Sequence, residues 1–216
     1  MQVCFAVAAM LSAILFAQNA DAPLTRHAHG QVLVSPSDPA IQITFGPRFK
    51  YVGSQRFILY GVAEAEQHFF VQAGADGQIE RFYWLQFEHY LPGNTHTYDY
   101  SQLPGKSDVN GYLFMNDSAI FSDYASAPRK PDSDGAKTLA LLTKAGLRLP
   151  APMARIRMFH LPESTRRTEL MIIYGEALGE KAPPGVEQGL PADDKFPHLA
   201  ACLRKHVLEG MKIERP

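Results

Sequence analysis

The sequence predicts an α+β fold: an antiparallel sheet, built as a meander of hairpins, with two main helices packed on one face. Three observations lead there. Short runs of apolar and polar residues alternating with period two fill the first half of the chain, parted by turn residues. Two later segments, 134–147 and 197–211, repeat apolar residues at helical spacing. The strand runs follow one another through short loops and do not alternate regularly with helices, which argues against a doubly wound parallel sheet. A closed barrel is the alternative arrangement.

The chain opens on an apolar run, Val3–Phe16, followed by small residues at Ala17, Ala20 and Ala22. That is the shape of a secretory signal, and it is short of the ~20 apolar residues of a membrane span. No Lys or Arg precedes the run, and Pro23 directly follows Ala20-Asp21-Ala22, so cleavage is expected at Ala17 or Ala20. The expected organisation is a signal peptide over 1–20, a flexible lead-in over 21–30 and one domain over 31–216. The mature protein would then be periplasmic or secreted, with no stable membrane insertion after cleavage. Removal of the signal takes Cys4 with it and leaves Cys202 alone, so no internal disulfide can form. The surrounding "LAACLRKHVL" places Cys202 on the apolar side of a helix, as a small core residue.

Strand runs are read at Gln31–Val34, Ile41–Phe45, Gln55–Val62, Gln67–Ala73 and Gln78–Tyr90. Asp76-Gly77 turns the chain between the last two, since Asp-Gly supplies the positive φ that a tight hairpin needs. A short strand at Tyr112–Met115 and a helical turn near Ser118–Tyr124 follow. Asp134 is the expected N-cap of the first helix. Met153–Leu161 and Arg167–Leu178 form a second hairpin through Pro162–Thr165. Pro197 in the first turn and Gly210 near the end bound the last helix, whose apolar face would carry Leu199, Cys202, Leu203, Val207 and Met211.

The aromatic stretch Gln78–Tyr90 and the segment "YLPGNTHTYDYS" after it hold the candidate site. Alternation puts Tyr83, Leu85, Phe87 and His89 on one face and Phe82, Trp84, Gln86 and Glu88 on the other. A Pro92-Gly93 hairpin would set His89 opposite His96, Phe87 opposite Tyr98 and Leu85 opposite Tyr100. Tyr83, Phe87, His89, His96, Tyr98 and Tyr100 would then line a pocket, because aromatic walls with a few polar groups suit a small apolar or aromatic ligand. The same hairpin would collect Glu88, His89, His96 and Asp99 as acid–base candidates, so an enzyme using His89 or His96 for proton transfer is the second reading. An envelope protein docking a partner through the sheet face around Trp84 and Phe82 is the third.

Composition removes other classes. The 216-residue chain is 46% hydrophobic and 20% charged with a formal net charge of -1. Its basic runs reach only two residues, as at Arg166–Arg167, so nucleic acid is not the expected partner. The sequence has no GxSxG, HExxH, CxxC or GxGxxG motif. No cofactor and no metal site is therefore expected, and the expected partner is a small molecule. Arg48, Lys50, Arg56, Arg155 and Arg157 could hold a carboxylate if the fold brought them together.

Overall fold

The computed structural model describes residues 23–216; the signal-peptide reading lies outside them. Its strands are β1 (His27–His29), β2 (Val32–Ser35), β3 (Ile41–Phe45), β4 (Lys50–Leu59), β5 (Ala63–Ala73), β6 (Ile79–Tyr90), β7 (Gly105–Val109), β8 (Tyr112–Phe121), β9 (Met153–His160), β10 (Thr168–Ala177), β11 (Leu190–Pro191) and β12 (Met211–Glu214). Helices are α1 (Asp134–Lys144), the single turn α2 (Ala192–Lys195) and α3 (Pro197–Glu209). The large sheet runs β11-β8-β9-β10-β6-β5-β4, with β7 also on β8, and the small one runs β1-β2-β3-β12. No helix among the described residues is long and apolar enough to cross a membrane.

The predicted fold class is corrected. Strand takes 44% of the structure and helix 16%, in two sheets with only two helices of seven residues or more. The helices also lie on opposite faces. Leu203 and Val207 of α3 join Leu33, Ile43 and Phe45 of the small sheet in a core over Tyr83, Leu85, Phe87 and Tyr174. Leu142 of α1 packs on the reverse face, against Phe69, Val71, Trp84 and Ile173. The large sheet is therefore the middle layer, and apolar burial on both faces drives its formation.

Local chemistry explains where the sequence reading held and where it failed. The Asp76-Gly77 turn forms, with Gly77 at φ 79° and its N–H donated to Gly74 O. β8 extends through the expected helical turn. Its core-facing set includes Asn116 and Ser118, which break the apolar pattern. Asp193 accepts from Ser118 N at 2.7 Å and Oγ at 2.8 Å, and Arg204 Nε donates to Asn116 at 3.3 Å. These bonds fasten α2 and α3 to the sheet. Gly175 lets β10 pass beneath Phe82, whose ring fills the place of a Cβ. α1 is capped by Ser133, whose Oγ accepts from Ala136 N at 3.2 Å; Asp134 is its first residue. α3 ends before Met211, which starts β12, and Cys202 is exposed.

The expected lead-in over 21–30 contains β1, whose His27–His29 pairs with β2. Its entry is bolted to the sheet through Glu66, which is 3% exposed. This carboxylate accepts from Thr25 N at 3.0 Å, Thr25 Oγ1 at 2.7 Å, Arg26 N at 3.0 Å and His68 Nε2 at 2.8 Å. Burial raises its pKa, but the bonds from His68 and Thr25 and the charge of Arg26 outweigh it and hold the carboxyl down at about 2.

Glu66→Ala strips these donors of their acceptor and is expected to cost about 3 kcal/mol in urea unfolding near neutral pH. Because the folded pKa is depressed, this contribution is complete above the ordinary value of 4.5 and is lost as pH falls toward about 2. The gap between wild type and variant should narrow over that window.

Candidate functional site

Both edges of β6 are occupied. β5 pairs along one side through the Asp76-Gly77 turn, and β10 along the other. The Pro92-Gly93 turn does form, with Asn94 N donating to Leu91 O at 3.1 Å. But the chain beyond it has no strand edge left to pair with. It leaves the sheet plane, and Tyr98 N donates to Arg166 O at 2.8 Å. The expected His89–His96 hairpin register is thus corrected: His89 stands between Glu64 and Thr168.

The six predicted ligand-binding residues separate accordingly. Tyr83 and Phe87 are sealed in the core between the sheets. The Tyr83 hydroxyl donates to Val207 O at 2.8 Å. His89 is half-exposed at one end of that face, 3.9 Å from Glu64, and His96 is exposed on the surface. Tyr98 and Tyr100 fold back over the opposite face, the one that carries Trp84, Gln86 and Glu88. Trp84 and Phe82, the proposed docking face, are buried at 2% and 3% exposure.

On that face the β6–β10 register sets Glu88 directly against Glu169, which places their Cβ atoms roughly 5 Å apart. Both carboxylates are buried. Tyr98 Oη donates to Glu88 at 3.0 Å, and Tyr100 Oη donates to Glu169. An amide chain reaches the pair from the β4 edge. Gln55 donates to Gln67 at 2.6 Å, Gln67 donates to Gln86, and Gln86 donates to Glu88. Trp84 Nε1 also donates to Gln86, at 3.0 Å.

Four near-parallel rings form the wall above the pair. Tyr90 and Tyr98 stack at 4.4 Å, Tyr98 and Tyr100 at 6.4 Å, and Tyr100 and Phe159 at 4.0 Å. Guanidinium groups cap both ends, Arg167 over Tyr90 at 5.7 Å and Arg157 over Phe159 at 5.2 Å. Beside this wall lies a cleft of about 220 Å³, bounded by Glu88, Glu169, Tyr98, Tyr100, Phe159 and Met171.

No family model, curated protein or solved structure matches the chain. The site must speak for itself.

Its electrostatics are unusual for buried acids. Burial pushes Glu88 up to about 7, although Gln86 and Tyr98 bond its charged form. Burial, then the neighbouring Glu88 charge, raises Glu169 well above the ordinary range, while Tyr100 and Arg157 pull the other way. Two such carboxyls cannot both ionise cheaply. Among the described residues, no ion pair reaches either acid. Arg157 is committed to Asp117, with Nε donating at 2.9 Å. Burial raises Tyr98 and Tyr100, and the acids beneath raise them further, so both remain neutral donors.

Glu88 was visible in the sequence as a polar residue on the aromatic strand. Glu169 and Asp117 were missed. The available signal was a lone Glu sharing a strand face with Met171 and Ile173, whose meaning depends on knowing that β10 pairs with β6. The predicted arginine cluster does not assemble. Arg56 binds Glu64, and Arg155 lies over Phe121 at 4.6 Å. No group of three or more His, Cys, Asp or Glu side chains among the described residues is placed to hold a metal.

Because the folded pKa values of the pair are raised, their contribution to stability is present at low pH and lost as pH rises through about 7. Glu169→Gln removes one of the competing charges. Its melting temperature should exceed that of wild type at about pH 8, at ~2–4 °C per kcal/mol. The two proteins should converge on acidification below about pH 4.5, where these carboxyls are protonated in the unfolded chain as well as the folded one.

Proposed function

We propose that the protein binds a small, flat, partly aromatic or apolar molecule in the cleft beside Tyr98, Tyr100 and Phe159. The ligand presents a hydrogen-bond donor, an amine above all, to Glu88 and Glu169. One observation carries this reading. A pair of buried carboxylates that makes no direct ion pair among the described residues faces open space under an aromatic wall, in a cleft that Asp134 and the Asp117-bound Arg157 also line. A cationic or donor group arriving there relieves the repulsion within the pair, and the rings cover the body of the ligand. The apolar run Val3–Phe16 supports action outside the cytoplasm, in the periplasm or beyond. N-terminal sequencing of protein recovered from a periplasmic fraction tests that part.

A second reading is supported by the Glu88 carboxyl, which lines the cleft and which burial pushes up to about 7. A group with that pKa serves as a general acid or base at neutral pH. Glu88 and Glu169 then take the role first sought in His89 and His96, whose rings lie outside the cleft.

The single tryptophan, Trp84, is bonded to Gln86 next to the pair and reports on it by fluorescence. Titration with benzylamine should change its emission saturably. Glu169→Gln and Tyr100→Ala should each weaken binding by about tenfold, the equivalent of ~1.4 kcal/mol. Benzylamine affinity that is unchanged in both variants would exclude the cleft as the binding site.

A further inference from the structure

A second cleft, of about 240 Å³, opens on the other face of the large sheet, where the β3–β4 turn meets the end of α3. Arg48, Phe49, Arg81, Tyr174, His206 and Glu209 line it. Arg81 and Glu88 are seven positions apart on β6, so the two clefts are separated by roughly 23 Å along the strand.

The register sets Arg81 directly opposite Glu176. Yet Glu176 Oε2 is taken by Tyr174 Oη at 2.7 Å and by His206 Nδ1 at 2.9 Å. Glu209 on the rim is held by Lys205 at 3.6 Å. Among the described residues, neither the exposed Arg48 nor the partly buried Arg81 makes an ion pair or a side-chain hydrogen bond, and both line this open cleft. Of the carbonyls at the C-terminal end of α3, which would repel an anion, three already accept hydrogen bonds. Gly210 N takes His206 O at 3.1 Å, Tyr83 Oη takes Val207 O at 2.8 Å, and Gly46 N takes Gly210 O at 3.0 Å. With Nδ1 committed to Glu176, His206 keeps Nε2 as its remaining ring atom for a ligand.

We propose that this cleft binds a small organic anion, a carboxylate or a phosphate ester, independently of the acidic cleft. The Arg48 and Arg81 guanidinium groups supply planar donor forks for its oxygens. Phe49 and Tyr174 flank a short flat body. The volume lies below the ~300–1,000 Å³ of pockets for drug-sized ligands, so the ligand is small.

Isothermal titration with benzoate and with inorganic phosphate tests this on the whole protein and separates the two sources of oxygens. Saturable binding of benzoate is expected, with His206 and Tyr174 resonances shifting in NMR spectra and Trp84 unmoved. Arg48→Gln and Arg81→Gln should each weaken it about tenfold, and Arg81→Lys, which keeps the charge and loses the fork, should fall between. Since neither guanidinium is bonded within the protein, all three variants should keep the wild-type urea midpoint. Phosphate binding with the same losses assigns the site to phosphate esters. No saturable binding of either anion by about 10 mM, weaker than the ~4 kcal/mol of a millimolar complex, overturns the proposal. So does anion binding that all three variants leave unchanged.

Discussion

The pairing of β6 with β10 is the constraint on which the rest of the molecule depends. Side chains in a strand alternate strictly, so one register decides both faces at once. It sets Tyr83 against Tyr174, Leu85 against Ile172 and Phe87 against Leu170 on the side that the small sheet and α3 cover. The same register sets Trp84 against Ile173, Gln86 against Met171 and Glu88 against Glu169 on the side of α1. A slip of either strand by one residue would drive its acid into the core between the sheets. The carboxylate pair is thus held in place by the packing of large side chains on the far face, whose burial far exceeds the electrostatic cost of the pair.

The two faces treat buried acid groups in opposite ways, and the contrast separates structure from function. Glu66 is saturated: backbone and side-chain donors surround it, its pKa is depressed, and it joins the entry of β1 to the sheet. Glu88 and Glu169 accept from neutral hydroxyl and amide donors and otherwise face each other. Their raised pKa values express that shortfall. A fold that can satisfy Glu66 so fully on one side of a strand has the means to do the same on the other. The pair, bonded only by neutral donors beside open space, is the observation on which the proposed binding role rests.

How much could be read from the chain follows from where its physics is local. Ile41–Phe45, the Asp76-Gly77 hairpin, the long aromatic strand and the β9–β10 hairpin rest on alternation and turn residues within one stretch, and the structure has them. β8 and β12 were shortened or missed. In β8 the core-facing Asn116 and Ser118 are paid for by Arg204 and Asp193, some 75 to 88 residues away. The Pro92-Gly93 turn was legible, but not the fact that β10 had already taken the edge its hairpin needed. For the same reason Tyr98 and Tyr100 were singled out while their partner Glu169 was not. One strand face could be deduced, whereas the strand beside it could not.

The acidic cleft also divides its parts by rigidity. Glu88 projects from a strand paired on both sides, and Glu169 from β10 where it pairs with β6, one residue before its pairing with β9 begins. Tyr98 and Tyr100 project from a segment without strand pairing, tied by Tyr98 N to Arg166 O and by Leu103 N to Tyr100 O. Charge therefore sits on the part of the molecule that moves least, where its cost is fixed by the core beneath. The aromatic wall sits on a segment held by few backbone bonds and by ring stacking. Such a division lets the wall adjust to the outline of a ligand while the acids keep their spacing. In the proposed binding role, the sheet would set recognition of the donor group, and the loop that crosses it recognition of shape.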